Sequence, residues 1–458
     1  MTDYSVLSVW HQTADDEFVP RPRLQGPLDL DVAIIGAGYT GLWTAYYLKK
    51  ADPSLRIGVI EREVAGFGAS GRHGGWCSAR FATPREKMEE TAGRQAVVDM
   101  QRAMFETVHE VGRVVEAEGI DCDFRMGGNL VFATNRAQLG TVRDKIAGER
   151  SWGFGEDDFC FLGPDEARSH VRVQGALGAI YCRHSARVHP TKLARGLARV
   201  VESLGVPIYE LTPALAIEPG AIITPAGRVS AEVVVRATES YTVELPGMRR
   251  SLVPVYSLMI ATEPLGEEVW DQLGWDDHAT WSDGRNLIIY VARTADGRIA
   301  MGGRGTPYHR GSRLDPRFEK DPAVFEMLKR VLDALMPPVA SARVTHTWGG
   351  AVALPRDWTT SAGYDKQAGL AWAGGYVGNG VSTTNLAGRT LAALISETDS
   401  PLVYLPWVGH RSPDWEREPL RWLGVNLATR MMASADRKEA RTGRRARRAG
   451  LTQKLIGR

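Results

Sequence analysis

The stretch "DVAIIGAGYTGLWTAYYL", Asp31 to Leu48, decides the fold. It opens with a short, β-branched apolar run of the kind found in a buried parallel strand. Gly36, Gly38 and Gly41 then form G-x-G-x-x-G. That string is weak alone, but its setting is specific. It follows a strand, opens a helix over Tyr39 to Lys50, and precedes the strand "LRIGVIE", which ends on Glu61. The result is one right-handed βαβ unit suited to a dinucleotide. Gly36 allows the tight turn, Gly38 leaves room for a pyrophosphate, and Gly41 lets helix and strand pack closely. The helix N-terminus adds N–H groups and a partial positive charge. Glu61 is placed to accept hydrogen bonds from the adenosine ribose, and its charge repels a 2′-phosphate, which argues against NADP. The cofactor-binding set here is Gly36, Ala37, Gly38, Tyr39, Thr40, Gly41, Glu61 and Arg62.

Two later stretches favour FAD over NAD. "GASGRHGGWCS", Gly68 to Ser78, follows Glu61 closely and is dense in small residues. A chain that runs back along a dinucleotide towards a flavin needs such close approach. Its contacts are Ala69, Ser70, Gly71, Arg72, His73, Gly74 and Gly75, with Arg72 holding the path. "GGYVGNGVSTTNLAGRTLAALI" brings a second Gly-rich turn, Gly374 to Gly380, and a helix from about Val381. That helix N-terminus suits the pyrimidine end of a reduced flavin. Gly375, Tyr376, Gly378, Asn379, Gly380, Val381 and Ser382 are its contacts, and Ala214, Ala237 and Thr238 complete the set.

Around these motifs the 458-residue chain is ordinary: 43% apolar, 24% charged, formal charge +2. It is long enough for two or three lobes and shows no global attraction to nucleic acid or membrane. Cys77, Cys122, Cys160 and Cys182 lie far apart, which argues against a zinc site or a disulfide framework. No metal is expected. The N-terminal residues lack a basic region followed by an apolar one, and no apolar run is long enough to span a bilayer, so cytoplasmic residence is the expectation.

The order of elements predicts an α/β chain. A discontinuous Rossmann-like FAD-binding domain takes 29–84, 155–245 and 345–400. An inserted antiparallel-sheet α+β substrate domain takes 85–154 and 246–344. Residues 1–28 read as an arm over the surface, and 401–458 as a helical, basic tail. The tail holds Arg437, Lys438, Arg441, Arg444, Arg445, Arg447 and Arg448. It is read as a solvated helix, with an anionic-surface or RNA contact as the sharper alternative.

The stretches above, with "VHPTKLARGL" and "VPVYSLMIATEPL", resemble the D-amino-acid-oxidase-like superfamily of FAD-dependent oxidoreductases. They fall in the expected order across nearly the whole chain. Within that superfamily the resemblance is nearest to the bacterial branch that includes γ-glutamylputrescine oxidoreductase. It implies oxidation of a C–N bond of a small amine or amino acid to an imine, by hydride transfer to flavin N5, and hydrolysis by water. An N-methyl amino acid is the rival substrate, and an amine on a nucleic-acid side chain a more distant one. A flavin-binding protein without turnover is a third reading. The electron acceptor is O2 or a carrier, and no nucleic-acid partner is expected. In this branch the loop commonly has Asn where His73 stands. In the dimethylglycine and sarcosine dehydrogenase branch a His at the matching point carries the flavin covalently. His73 is therefore read three ways: a covalent flavin ligand, a hydrogen-bonding contact, or a structural substitute for Asn. The Cys-linked route of monomeric sarcosine oxidase needs a Cys late in the chain, and the last one here is Cys182.

Hydride transfer to a flavin needs no protein base, and the sequence offers no triad. What the protein must supply is orientation and desolvation. Beside His73, the catalytic-site candidates are Tyr256, Arg304 and Trp348, with Tyr308 nearby in sequence. Aromatic walls could surround a substrate cation, and Arg304 could hold a carboxylate. The plain alternatives are core packing for Tyr256 and Trp348 and a structural link for Arg304. His189, just before Pro190 at a helix start, reads as structural, while His184 and His346 show no partner.

Overall fold

The computed structural model describes residues 2–446 and 450. Its first sheet grows from the strand Leu28–Ile35, whose Val32, Ala33, Ile34 and Ile35 are buried. Continuous apolarity is what a parallel strand covered on both faces requires. It pairs in parallel with Ile57–Ile60 on one side and Gly227–Arg236 on the other, Ile35 lying opposite Ile60 and Arg236. Ile208–Tyr209 extends the sheet beyond Ile57–Ile60, and Leu370–Gly374 joins Gly227–Arg236 in parallel. The helices Tyr39–Ala51, Pro190–Ser203 and Gly380–Ile395 contribute their buried side chains to this core. Tyr39–Ala51 and Gly380–Ile395 lie against each other, both N-termini being at the carboxyl ends of the parallel strands. That is where α/β sheets bind ligands.

The second sheet has eight strands. In spatial order they are Val344–Leu354, Val253–Thr262, Ile299–Arg304, Ile289–Arg293, Thr280–Asp283, Asn129–Phe132, Ala179–Cys182 and Phe159–Leu162. Every pairing is antiparallel except Asn129–Phe132 with Thr280–Asp283. Pro322–Leu335 covers one face through Val324, Leu328 and Leu332, one apolar residue per turn.

The architecture is the discontinuous α/β region with an inserted sheet domain that the motif order implies. Its seams lie elsewhere. Phe159–Leu162 and Ala179–Cys182, within the 155–245 segment assigned to the first domain, pair into the second sheet. Val344–Leu354 does the same, so the third segment of the first domain starts after Leu354 rather than at 345. Short antiparallel strands carry no local mark of which sheet they join. The 1–28 arm also differs from its expectation. Val9, Trp10, His11, Phe18 and Leu24 are buried, because a polar, Pro-rich segment still carries enough apolar area to fill the seam between the sheets. The tail forms a helix, Leu420–Thr442; Arg447 and Arg448 lie outside the described residues.

Candidate functional site

A cavity of about 1050 Å³ runs from the G-x-G-x-x-G turn to the inner face of the second sheet. The turn is built as the glycine spacing predicts. Gly36 has φ +105°, and a Cβ there would lie 2.7 Å from the Ala237 carbonyl oxygen. A Cβ on Gly41 would lie 2.0 Å from the Gly36 oxygen, so the helix could not approach the strand. Gly38 precedes the helix with no side-chain cap of its own; Ser70 Oγ takes the Tyr39 N–H, and the Thr40 and Gly41 N–H groups have no side-chain acceptor among the described residues. Glu61 accepts hydrogen bonds from Ala37 N at 2.7 Å and Glu63 N at 2.9 Å. Burial raises its pKa against the pull of those two donors. Arg62 stacks over Tyr241 at 4.6 Å and pairs with Glu244.

The loop after Glu61 then follows the cavity. Ser70 Oγ accepts the Tyr39 N–H at 2.9 Å, tying the loop to the first helix. Arg72 donates from Nε to the Phe67 carbonyl and from Nη1 to Glu319 at 2.7 Å and the Gly349 carbonyl at 3.3 Å. His73 Nδ1 accepts the Gly75 N–H at 3.1 Å, so its Nε2 carries the proton, 3.1 Å from the Tyr39 hydroxyl oxygen. Tyr39 passes its own proton on to the Pro190 carbonyl at 2.8 Å. Burial pushes the His73 pKa down to about 3, leaving the ring neutral. Gly74 is a close-approach site: a Cβ there would sit 2.4 Å from the Tyr290 ring.

The second Gly-rich turn closes the other end. Gly375 and Gly378 have φ +71° and +89°, and the following helix also begins without a side-chain cap. The Tyr376 hydroxyl lies 2.9 Å from Thr40 Oγ1, joining the two helix starts. Two helix N-termini without a cap from the preceding residue therefore face one cavity, with glycines where Cβ atoms would intrude. That shape and donor set fit a dinucleotide with a flat ring at its end.

The predicted residues divide into those that line the cavity and those that stand behind it. Gly36, Gly38, Tyr39, Thr40, Glu61, Arg62, Ala69, Ser70, Arg72, His73 and Gly74 line it. So do Ala214, Ala237, Thr238, Tyr376, Gly378, Asn379, Gly380, Val381 and Arg304. Ala37, Gly41, Gly71, Gly75, Gly375 and Ser382 shape the turns without being part of that lining. Tyr256 and Trp348 are not part of it either, a correction to their expected place. On Val253–Thr262 the neighbouring Ser257 lines the cavity, and alternation turns Tyr256 to the other face, against Phe318. Trp348 lies two residues along its strand from Gly350, which does line the cavity, and packs edge-on against Trp10. Its indole donates to the Arg72 carbonyl at 2.9 Å. Tyr308 is buried against Glu418 and Ser312. His189 caps its helix, accepting the Lys192 N–H at 3.2 Å, as its sequence position suggests. His184 gains partners no local signal shows, Asp158 at 3.0 Å and the Phe105 ring.

Among the lining residues that the sequence reading did not name are Arg80, Glu239, Ser257 and Tyr290. Arg80 stands seven positions after His73. Among the described residues it has no hydrogen-bond or ion-pair partner, and burial lowers its pKa. Arg304 donates to the Val377 carbonyl at 2.5 Å. Burial lowers its pKa too, and the charge of Arg80 adds to that. Glu239 accepts the Gly375 N–H at 3.0 Å, and burial raises its carboxyl to about 7. Tyr290 and Ser257 share a hydrogen bond of 2.8 Å on the second-sheet wall.

The comparisons agree with this geometry. Residues 31–394 match the family model described as FAD dependent oxidoreductase. The chain is 28% identical to γ-glutamylputrescine oxidoreductase of Escherichia coli (strain K12), covering 86% of this chain and 90% of that protein. Among solved structures, glycine oxidase from Geobacillus kaustophilus superposes with a TM-score of 0.71 at 21% identity, over 84% of this chain and all of the other. An L-amino acid deaminase from Proteus vulgaris gives 0.68 at 18%, over 87% and 98%. Those likenesses show a shared fold. With the family match covering both helix starts and the second-sheet wall between them, this chain belongs to the FAD dependent oxidoreductase family.

Proposed function

We propose that the chain oxidises the C–N bond of a small amine that also carries an anionic group, such as a carboxylate. The observation behind this reading is the pair Arg80 and Arg304, two half-buried guanidinium groups lining one cavity, with no carboxylate partner among the described residues. A buried cation without a partner is unfavourable, and an anionic substrate group supplies one. A bare diamine would bring further positive charge to the same wall. An N-methyl amino acid fits, and so does a γ-glutamyl-linked amine of the kind named for the Escherichia coli relative.

Bound FAD supplies the hydride-accepting ring. The chain's own part is placement. The first helix start would hold the pyrophosphate and Glu61 the ribose, and the second helix start would face the ring's pyrimidine end. Ser257, Tyr290 and Arg304 form the wall from which the substrate is presented. Neutral His73 brings no charge to the amine, which must be unprotonated to react.

The test is an anaerobic reduction screen over diamines, γ-glutamyl diamines, N-methyl amino acids and D-amino acids, followed at the flavin band. Amines bearing a carboxylate should bleach it, and the parent diamines should not. In Arg80→Gln, KM for the best substrate should rise about 10- to 100-fold, the worth of a charged hydrogen bond, with a smaller change in kcat. Rapid bleaching by diamines with no penalty in Arg80→Gln would overturn the reading. Comparing O2 consumption with dye reduction then separates oxidase from dehydrogenase.

A further inference from the structure

The helix Leu420–Thr442 has one face that no described residue covers. Leu420, Leu423 and Leu427 recur at helical spacing on that face and are 66%, 51% and 59% exposed. The same stripe continues as Arg430, Arg437, Lys438 and Arg441, all exposed. None of these four cations forms an ion pair with a described residue. Both acids of the helix turn inward. Asp436 accepts the Asn286 N–H at 2.7 Å and the Leu287 N–H at 2.8 Å, and Glu439 accepts the Ala446 N–H at 2.8 Å. The outer face therefore has an apolar half and a cationic half, with no carboxylate in either.

We propose that this face docks onto the surface of an anionic phospholipid bilayer. The three leucines would enter the acyl boundary while the cations meet lipid phosphates, the division of labour of an interfacial amphipathic helix. The charge pattern favours this occupant over two others. In a twofold pairing with a second copy over the whole face, cations would meet cations if the helices ran parallel and leucines if they ran antiparallel, while a pairing confined to the leucines would leave all four cations without a partner. RNA offers phosphates to the cations but no apolar partner for three exposed leucines. Docking is at the surface, since no described helix is long and apolar enough to cross a membrane. The proposal is independent of the substrate reading.

The full-length holoenzyme would be sedimented with vesicles of phosphatidylcholine, and with vesicles in which phosphatidylglycerol replaces a third of it. Pelleting is expected with the anionic vesicles and should fall as salt rises. Neutralising the stripe with Arg430→Gln, Arg437→Gln, Lys438→Gln and Arg441→Gln should weaken partitioning by about fivefold per cation removed. Leu423→Ser with Leu427→Ser should also reduce it while leaving bound flavin and thermal midpoint unchanged, because those side chains face water. Absence of pelleting with anionic vesicles at low salt overturns the proposal. So does a dimer in sedimentation equilibrium that the leucine pair abolishes, which assigns the face to a second copy. RNA retention lost with the cations but indifferent to the leucines assigns it to nucleic acid.

Discussion

His73 Nδ1 accepts the Gly75 N–H, and its Nε2 proton lies towards the Tyr39 oxygen, so both ring nitrogens are engaged within the chain. A histidyl–flavin bond would have to break one of those contacts. The expected outcome is therefore non-covalent FAD: acid precipitation should leave the yellow colour in solution, and the intact mass should equal that of the apoprotein. Colour retained in the pellet would sink this. The same burial sets a pH dependence. His11, His73 and His189 are each pushed down to about 3, against about 6.5 in an unfolded chain. Between those values the unfolded chain binds protons that the folded one refuses, so stability falls as pH drops from 6.5 towards 3. Denaturant midpoints should decline over that window, and less steeply in His73→Asn. Glu239 acts in the opposite sense. Its carboxyl is raised from 4.5 to about 7, so its share of stability is full below pH 4.5 and lost as pH rises through 7. Denaturation at pH 6 and pH 8 should show a smaller loss in Glu239→Gln than in the wild type. An equal loss would mean that the carboxylate is not buried as described.

The two cavity-facing helices are held together by absence of side chain. A Cβ on Gly388 would lie 2.7 Å from the Trp43 backbone, where Gly380–Ile395 crosses Tyr39–Ala51. Gly388→Ala should destabilise by about 1–3 kcal/mol, the usual cost of overpacking. Because it lies outside the cavity lining, refolded Gly388→Ala should still bind flavin at full stoichiometry. Unchanged thermal and denaturant midpoints would show that the helices can part. Such elements were legible in the sequence because their signals are local: the apolar run before Gly36, the glycine spacing, the second Gly-rich turn before a helix. Sheet membership was not legible. Phe159–Leu162 pairs with Ala179–Cys182, and Ala179–Cys182 with Asn129–Phe132, fifty residues upstream, a distance no local pattern spans. Nor was the facing of Val253–Thr262. Both its faces are largely buried, so alternation could not tell whether Tyr256 or Ser257 met the cavity. Arg80 was passed over because an arginine after a glycine-rich loop looks like any surface cation until its missing partner is seen.

At the scale of the whole molecule, the flavin-side loop is fastened to the second sheet by a buried charge. The Arg72 side chain is 2% exposed and meets Glu319 at 2.7 Å, from the segment that packs on Val344–Leu354. Burial raises the Glu319 carboxyl despite the attraction of Arg72. The pair therefore does more to register the two sheets than to stabilise them, since desolvation offsets much of the Coulomb gain. Trp348, its indole on the Arg72 carbonyl and its ring against Trp10, fixes the same junction from the sheet side. Removing either partner alone leaves a buried charge and should cost about 3–5 kcal/mol. Arg72→Met with Glu319→Leu should cost less than the two single changes summed, as neighbours in one network do. Function should separate from stability here. The double variant, folded but without its strut, should release FAD more readily than the wild type at a temperature where both are native, because His73 and its loop lose their anchor on the second sheet. A double variant that holds FAD as tightly as the wild type would show that the Ser70–Tyr39 bond and the Trp348 indole on the residue-72 carbonyl are enough to set the loop, and that the two sheets keep their register without the charge between them.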